Sequence, residues 1–136
     1  MKNFFSTNYS QNSFNLATLL LRLTFGLVLL LNHGLLKLKH FGQMSENFSD
    51  PLHIGHTASL GLVVFAEVLC ALLLVLGLFT RFAALVLVIS MAVAFFIVLK
   101  GQATEVHEPA LLYLTVFFAL LLVGPGRISV DAMMGK

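Results

Sequence analysis

Between Leu16 and Leu31 the chain carries nine leucines and a single charge, Arg22. A bilayer core of about 30 Å is crossed by about 20 helical residues at 1.5 Å each, so this run with its flanks is long enough to span. The arginine does not forbid insertion. The leucines with Phe25 and Val28 contribute roughly −3 to −7 kcal/mol, against about +3 for one central arginine. It does demand polar company. Eleven residues after Arg22 comes His33, and four later Lys37. At about 100° per residue eleven residues bring the chain back to nearly the same face, so Arg22 and His33 share a stripe, with Gly26 and Lys37 close to it. Such a stripe is either one wall of a site inside a membrane bundle or a snorkelling arginine on a helix whose histidine marks its end.

Three more apolar runs come after it. The chain reads as an all-α membrane protein, an antiparallel bundle of four transmembrane helices at about 15–36, 57–78, 81–99 and 108–123. A polar tail, 1–14, precedes the membrane domain, 15–131, and a short tail, 132–136, ends the chain. The first run is longer than a signal-peptide core and lacks a small-x-small cleavage pattern, so it is expected to be retained. Between the first two spans, residues 37–56 are polar, with Phe41, Met44, Phe48 and Leu52 at helical spacing. That predicts a short amphipathic helix on the membrane surface, ended by Asp50-Pro51 and serving as a cap or a lid. Gly77 to Arg81 leaves room only for a tight antiparallel hairpin. Glu108-Pro109 opens the fourth helix and Gly124-Pro125-Gly126 stops it. Arg127, Ser129 and Asp131 then read as a polar tail.

Composition narrows the function classes. Charged residues are 10% of the chain and hydrophobic ones 59%, where a soluble domain is about 25% charged. A net charge of +2 without a basic patch argues against nucleic acid. The one cysteine, Cys70, lies in an apolar run, where it should be an inert thiol; it permits neither an internal disulfide nor a CxxC pair. With no tryptophan, the interfacial belt falls to Tyr9, Tyr113 and phenylalanines. Lys2, Arg81, Arg127 and Lys136 lie on one side of four spans and Lys37, Lys39 and Lys100 on the other, a bias that favours cytoplasmic termini.

Depth then pairs the spans. His56 and Glu67 are also eleven residues apart, on a helix antiparallel to the first. If His33 and His56 are level at the outer interface, Arg22 and Glu67 are level about 16 Å deeper. Each charge alone in lipid would cost several kcal/mol, so the spacing predicts an Arg22–Glu67 pair. Such a pair is either a packing device or a mid-membrane proton or substrate site. At the outer level His33, Lys37, His56, His107 and Glu108 would form a protonatable rim, with Glu105 nearby. The rim suits a small anionic or quinone-like head group, or is simply a set of solvated helix ends. No H-x-x-x-H spacing supports a metal. Tyr113 lies about 7 Å below Glu108 and serves as an anchor or a ligand contact.

These residues, in this order, resemble the DoxX family of small four-helix membrane proteins. The resemblance rests on Arg22-x-x-x-Gly26, His33-Gly34-x-x-Lys37, the lone Glu67, and Gly77-Leu78-Phe79-Thr80-Arg81-Phe82-Ala83-Ala84. Met91, Glu108-x-Ala110-Leu111-Leu112 and Gly124-Pro125-Gly126-Arg127-x-Ser129-x-Asp131 complete it, over about 16–131. The resemblance implies a protein of the bacterial inner membrane linked to redox complexes. Some relatives look like small subunits of quinone-reducing enzymes that oxidise thiosulfate, and others associate with oxidative-stress enzymes. The expectation is a subunit of a quinone-associated complex, working with redox-enzyme partner subunits because the chain has no thiol pair and no haem or flavin motif. Its intramembrane polar site would comprise Arg22, His33, Lys37, His56, Glu67, Glu108 and Tyr113, with a quinone as the cofactor to look for. Two other readings stay open: a small-solute or proton-coupled transporter, which four helices would require to be a homodimer, and a non-catalytic scaffold or assembly factor.

Overall fold

The computed structural model describes residues 2–98, 101 and 103–135. Of the residues singled out above, Lys100, Lys136 and the side chains of Lys2 and His107 lie outside the described residues. Three helices are long and apolar enough to cross a membrane: α1 (Gln11–Lys39), α2 (His56–Leu76) and α3 (Thr80–Val98). The fourth, α4 (Thr104–Val123), holds a shorter apolar stretch, Glu108–Val123. Among the described residues there is no strand. Large apolar side chains such as Leu20, Phe82, Ile89, Phe118 and Leu122 point outward and remain exposed, as lipid-facing positions do.

α1 begins four residues earlier than expected, because Ser10 caps it by accepting the Ser13 N–H at 3.1 Å. Its buried stripe runs Asn15, Thr18, Arg22, Gly26, Leu29 at steps of three and four. The stripe then jumps to Gly34, because Leu30–Gly34 is a π-helical turn. A π turn holds one residue more than an α turn, which rotates the remainder of the helix by about 100°. Hence Gly34, not His33, continues the face of Arg22. A second π turn, Phe65–Cys70, carries Glu67, and a third, Ala94–Val98, ends α3.

α1 and α2 pack through their small residues, as membrane helices do. A methyl added at Gly26 would stand 2.6 Å from Val75 Cγ2, and one at Gly34 would stand 2.6 Å from the Glu67 carbonyl oxygen. These contacts set the antiparallel register. They put His33 level with about residue 68 rather than with His56, an offset of about 18 Å from the sequence expectation. The core is built from Leu29 on α1, Ala66, Cys70, Ala71 and Leu74 on α2, Ala83, Ala84, Leu87 and Met91 on α3, and Tyr113, Phe117 and Leu120 on α4. The most extensive pairing is α3 with α4.

The expected amphipathic helix over 37–56 is reduced to one turn, Phe41–Met44. Beyond it the segment is organised by Asp50, which accepts from the backbone N–H groups of Ile54 and Gly55 and from the Ser59 hydroxyl, each at 2.9 Å. Pro51 thus succeeds a loop residue rather than ending a helix. Between α2 and α3, Gly77 (φ 74°) supplies the left-handed residue that closes α2, and Leu78 N–H returns to the Leu73 carbonyl at 2.9 Å.

Candidate functional site

Glu67 sits on the π turn of α2 that faces the π turn of α1. π turns gather at functional sites because they redirect side chains and loosen the backbone ladder locally. The partner of Glu67 is Lys37, whose Nζ donates to both carboxylate oxygens at 2.7 Å. Glu67 is nearly inaccessible, 5% exposed, and Lys37 is 21% exposed. The expected Arg22–Glu67 pair is therefore not what forms. With α2 displaced along α1, Glu67 meets the basic residue one turn beyond His33.

His33 and Tyr113 complete this cluster. Their rings meet edge to face at 5.8 Å, and Tyr113 also contacts Phe25 at 5.9 Å and stacks on Phe117 at 5.7 Å. The charges of Glu67 and Lys37 both reach His33, and that of Glu67 reaches Tyr113. Both the histidine and the tyrosine of the expected set thus lie beside the Lys37–Glu67 pair.

The pair borders a cavity of about 400 Å³ between α2, α3 and the loop that bears Phe48 and Leu52. Its walls are otherwise mainly apolar: Phe65 and Ala66 belong to the π turn of α2, Ala94 and Val98 to that of α3, and Met91 lies one α-helical turn before the latter. Leu62 and Ile89, more than half exposed, also line it, so the cavity opens sideways between α2 and α3. A second cleft, of about 330 Å³, lies between α1 and α4. It is bounded by Phe25, Val28 and Tyr113, with the exposed carboxyl-bearing residues Glu105 and Glu108 also lining it.

Two expected members are placed elsewhere. His56 is exposed and bonds through Nδ1 to the Phe48 carbonyl, so it holds the loop rather than facing His33. Beside it, desolvation raises the Asp50 pKa. Its bonds from Gly55, Ser59 and Ile54, with the charge of His56, outweigh that and hold Asp50 below the usual carboxylate range.

Arg22 is 1% exposed and lies at the opposite end of the bundle. Its Nη2 donates to the Ile128 carbonyl, and a methyl on Gly77 would collide with Nη1. Among the described residues, Nε and Nη1 have no hydrogen-bond partner. The charge of Asp131 reaches the guanidinium. Arg127, Ser129 and Asp131, expected as a polar tail, instead belong to a segment, 124–131, that folds back over the ends of α1, α2 and α3. Arg127 N–H donates to Asn15 Oδ1 at 3.0 Å, and Asp131 N–H donates to the Gly77 carbonyl at 2.8 Å. The Asp131 carboxylate caps α3, accepting from Phe79 N–H at 2.8 Å, Thr80 N–H at 2.9 Å and Thr80 Oγ1 at 2.8 Å. Asn15 and Thr18, at helical spacing before Arg22, were the sequence signal that this polar face extends toward the chain's own C-terminal segment.

Most of the sequence elements that carried the resemblance thus have a place in this structure. Gly26 and Gly34 bring α1 against α2, Lys37 neutralises Glu67, and Gly77 through Ala84 form the α2–α3 turn, which Arg22 and Asp131 lock, and the start of α3. No curated protein and no solved structure matches the chain. The family model DoxX matches residues 17–100, which takes in most of α1, all of α2 and α3 and both members of the buried ion pair. With well over half of its length matched, the chain belongs to the DoxX family.

Proposed function

We propose that the protein is a membrane subunit of a redox-linked complex of the bacterial inner membrane and holds a quinone-type molecule at the Lys37–Glu67 pair. The observation that carries this reading is the placement of a buried ion pair at an apolar cavity that opens sideways between α2 and α3. A lipid-soluble ring with polar oxygens matches that contrast. Its carbonyl would accept from Lys37, its reduced hydroxyl would donate to Glu67, and its tail would leave between Leu62 and Ile89. Electrons would come from a partner subunit.

α4 serves as a fourth span in this reading. Its 20 residues reach about 30 Å, the thickness of the hydrocarbon core, although Glu105 and Glu108 shorten its apolar part. Four spans would place both termini in the cytoplasm, where Arg81 and Arg127 would satisfy the positive-inside rule.

Binding of a short-chain benzoquinone to the purified protein in lipid nanodiscs tests this. Lys37→Met and Glu67→Gln should each weaken it about tenfold, the equivalent of one hydrogen bond at 1.4 kcal/mol per decade. Affinity unchanged in both folded variants would reject the site.

The scaffold reading is favoured by one observation. Arg22, the most deeply buried charge among the described residues, contacts the chain's own C-terminal segment. A charge-swapped pair, Lys37→Glu with Glu67→Lys, that keeps full function in the cell would support packing over ligand chemistry.

A further inference from the structure

The two cavities are lined by different members of one polar cluster. The cleft between α1 and α4 has Glu105, Glu108 and Tyr113 in its lining. The cavity between α2 and α3 has Lys37 and Glu67. Tyr113, in the lining of the cleft, meets His33 ring to ring at 5.8 Å and 86°. We propose that Tyr113 and His33 form a proton connection from the acidic cleft to the buried Lys37–Glu67 pair.

Three observations point this way. The titratable and charged groups that reach His33 are Tyr113 from α4, Glu67 from α2 and Lys37 on α1 itself. Apart from Arg81 in its first turn, α3 has no titratable residue. The imidazole sits on the π turn opposite that of Glu67, where the backbone of Gly34 touches the Glu67 carbonyl. The exposed carboxylates of Glu105 and Glu108 lie where protons from water would be collected. Tyr113 can reach His33 through its hydroxyl or one bridging water. A proton accepted at one imidazole nitrogen is matched by one released from the other toward Glu67, so His33 ends each transfer as it began. This inference rests on the ligand site proposed above only for its purpose, since chemistry at a lipid-enclosed quinone would consume or release protons.

The test does not need the quinone. In the full chain in nanodiscs, Lys37→Met leaves Glu67 without a counter-ion, so its buried carboxyl becomes neutral. The infrared carbonyl band of Glu67, identified by its loss on adding Glu67→Gln, shifts when H2O is replaced by D2O. Adding Tyr113→Phe or His33→Phe should slow that shift about 10²-fold, within the range a positioned proton carrier contributes. Tyr113→Phe keeps the ring against Phe25 and Phe117, so the core stays filled. Exchange as fast in both variants as in Lys37→Met overturns the connection. Slowing in His33→Phe alone also overturns it, because Tyr113 is then not in the path. Quinone binding is read separately: exchange that depends on both residues without quinone binding rejects the proposed function and keeps the connection.

Discussion

Lys37 and Glu67, thirty residues apart in sequence, form a two-oxygen ion pair at 2.7 Å where the π turns of α1 and α2 meet. The pair is possible only because Gly34 lets the α1 backbone touch the Glu67 carbonyl. A side chain at that position would hold the helices apart and leave a carboxylate alone in the bundle.

Removing one partner of this pair should be costly, and removing both much less so. Lys37→Met leaves the buried Glu67 carboxyl without its counter-ion, so at neutral pH it must take up a proton to stay in the bundle, which costs about 3 kcal/mol. The double variant Lys37→Met/Glu67→Gln leaves no charge to bury and should recover most of that loss. Thermal unfolding in detergent checks both; equal destabilisation by the single and double variants would contradict the pairing.

Gly34 and Gly26 should differ in tolerance. The methyl of Gly34→Ala would press on backbone, which cannot yield, and should cost about 1–3 kcal/mol. That of Gly26→Ala meets Val75 Cγ2, whose side chain can turn away, so its cost should be the smaller. Melting temperatures of the two variants rank them.

The clasp formed by residues 124–131 depends on Arg22 and Asp131. Asp131→Ala removes all three bonds that cap α3 and should destabilise by about 1–2 kcal/mol. Arg22→Met should free Ile128 and its neighbours, so trypsin should cut after Arg127 faster than in the parent protein. Unchanged cleavage would show that the C-terminal segment holds itself in place.

Acid should loosen the loop between α1 and α2. The Asp50 pKa is lowered in the fold, so its stabilising contribution is complete above the ordinary carboxylate range and is lost as pH falls through the lowered value. Protection of the Ile54 and Gly55 amides, their exchange rate relative to the intrinsic rate at the same pH, should therefore fall at low pH, and should be weak already at neutral pH in Asp50→Asn. Protection independent of pH in the parent protein would contradict the role given to Asp50.

The sequence by itself determined the membrane class, the apolar helices, the hairpin at Gly77 and the cluster members His33, Lys37, Glu67 and Tyr113. Apolar length, Gly and Pro stops, and the cost of charge in lipid are local properties, legible without partners. Tertiary structure decided which charge meets which. Straight-helix arithmetic placed Arg22 and His33 on one face and paired Arg22 with Glu67. Two π turns rotate the stripes, and the glycine contacts slide α2 along α1 by about 18 Å. Both effects depend on how closely two backbones can approach, which a single chain's periodicity does not encode. The same holds for Asp131, which reads as part of a polar tail, and for Asn15, which reads only as the start of the first span: only the folded-back C-terminal segment makes them the partners of α3 and of Arg127.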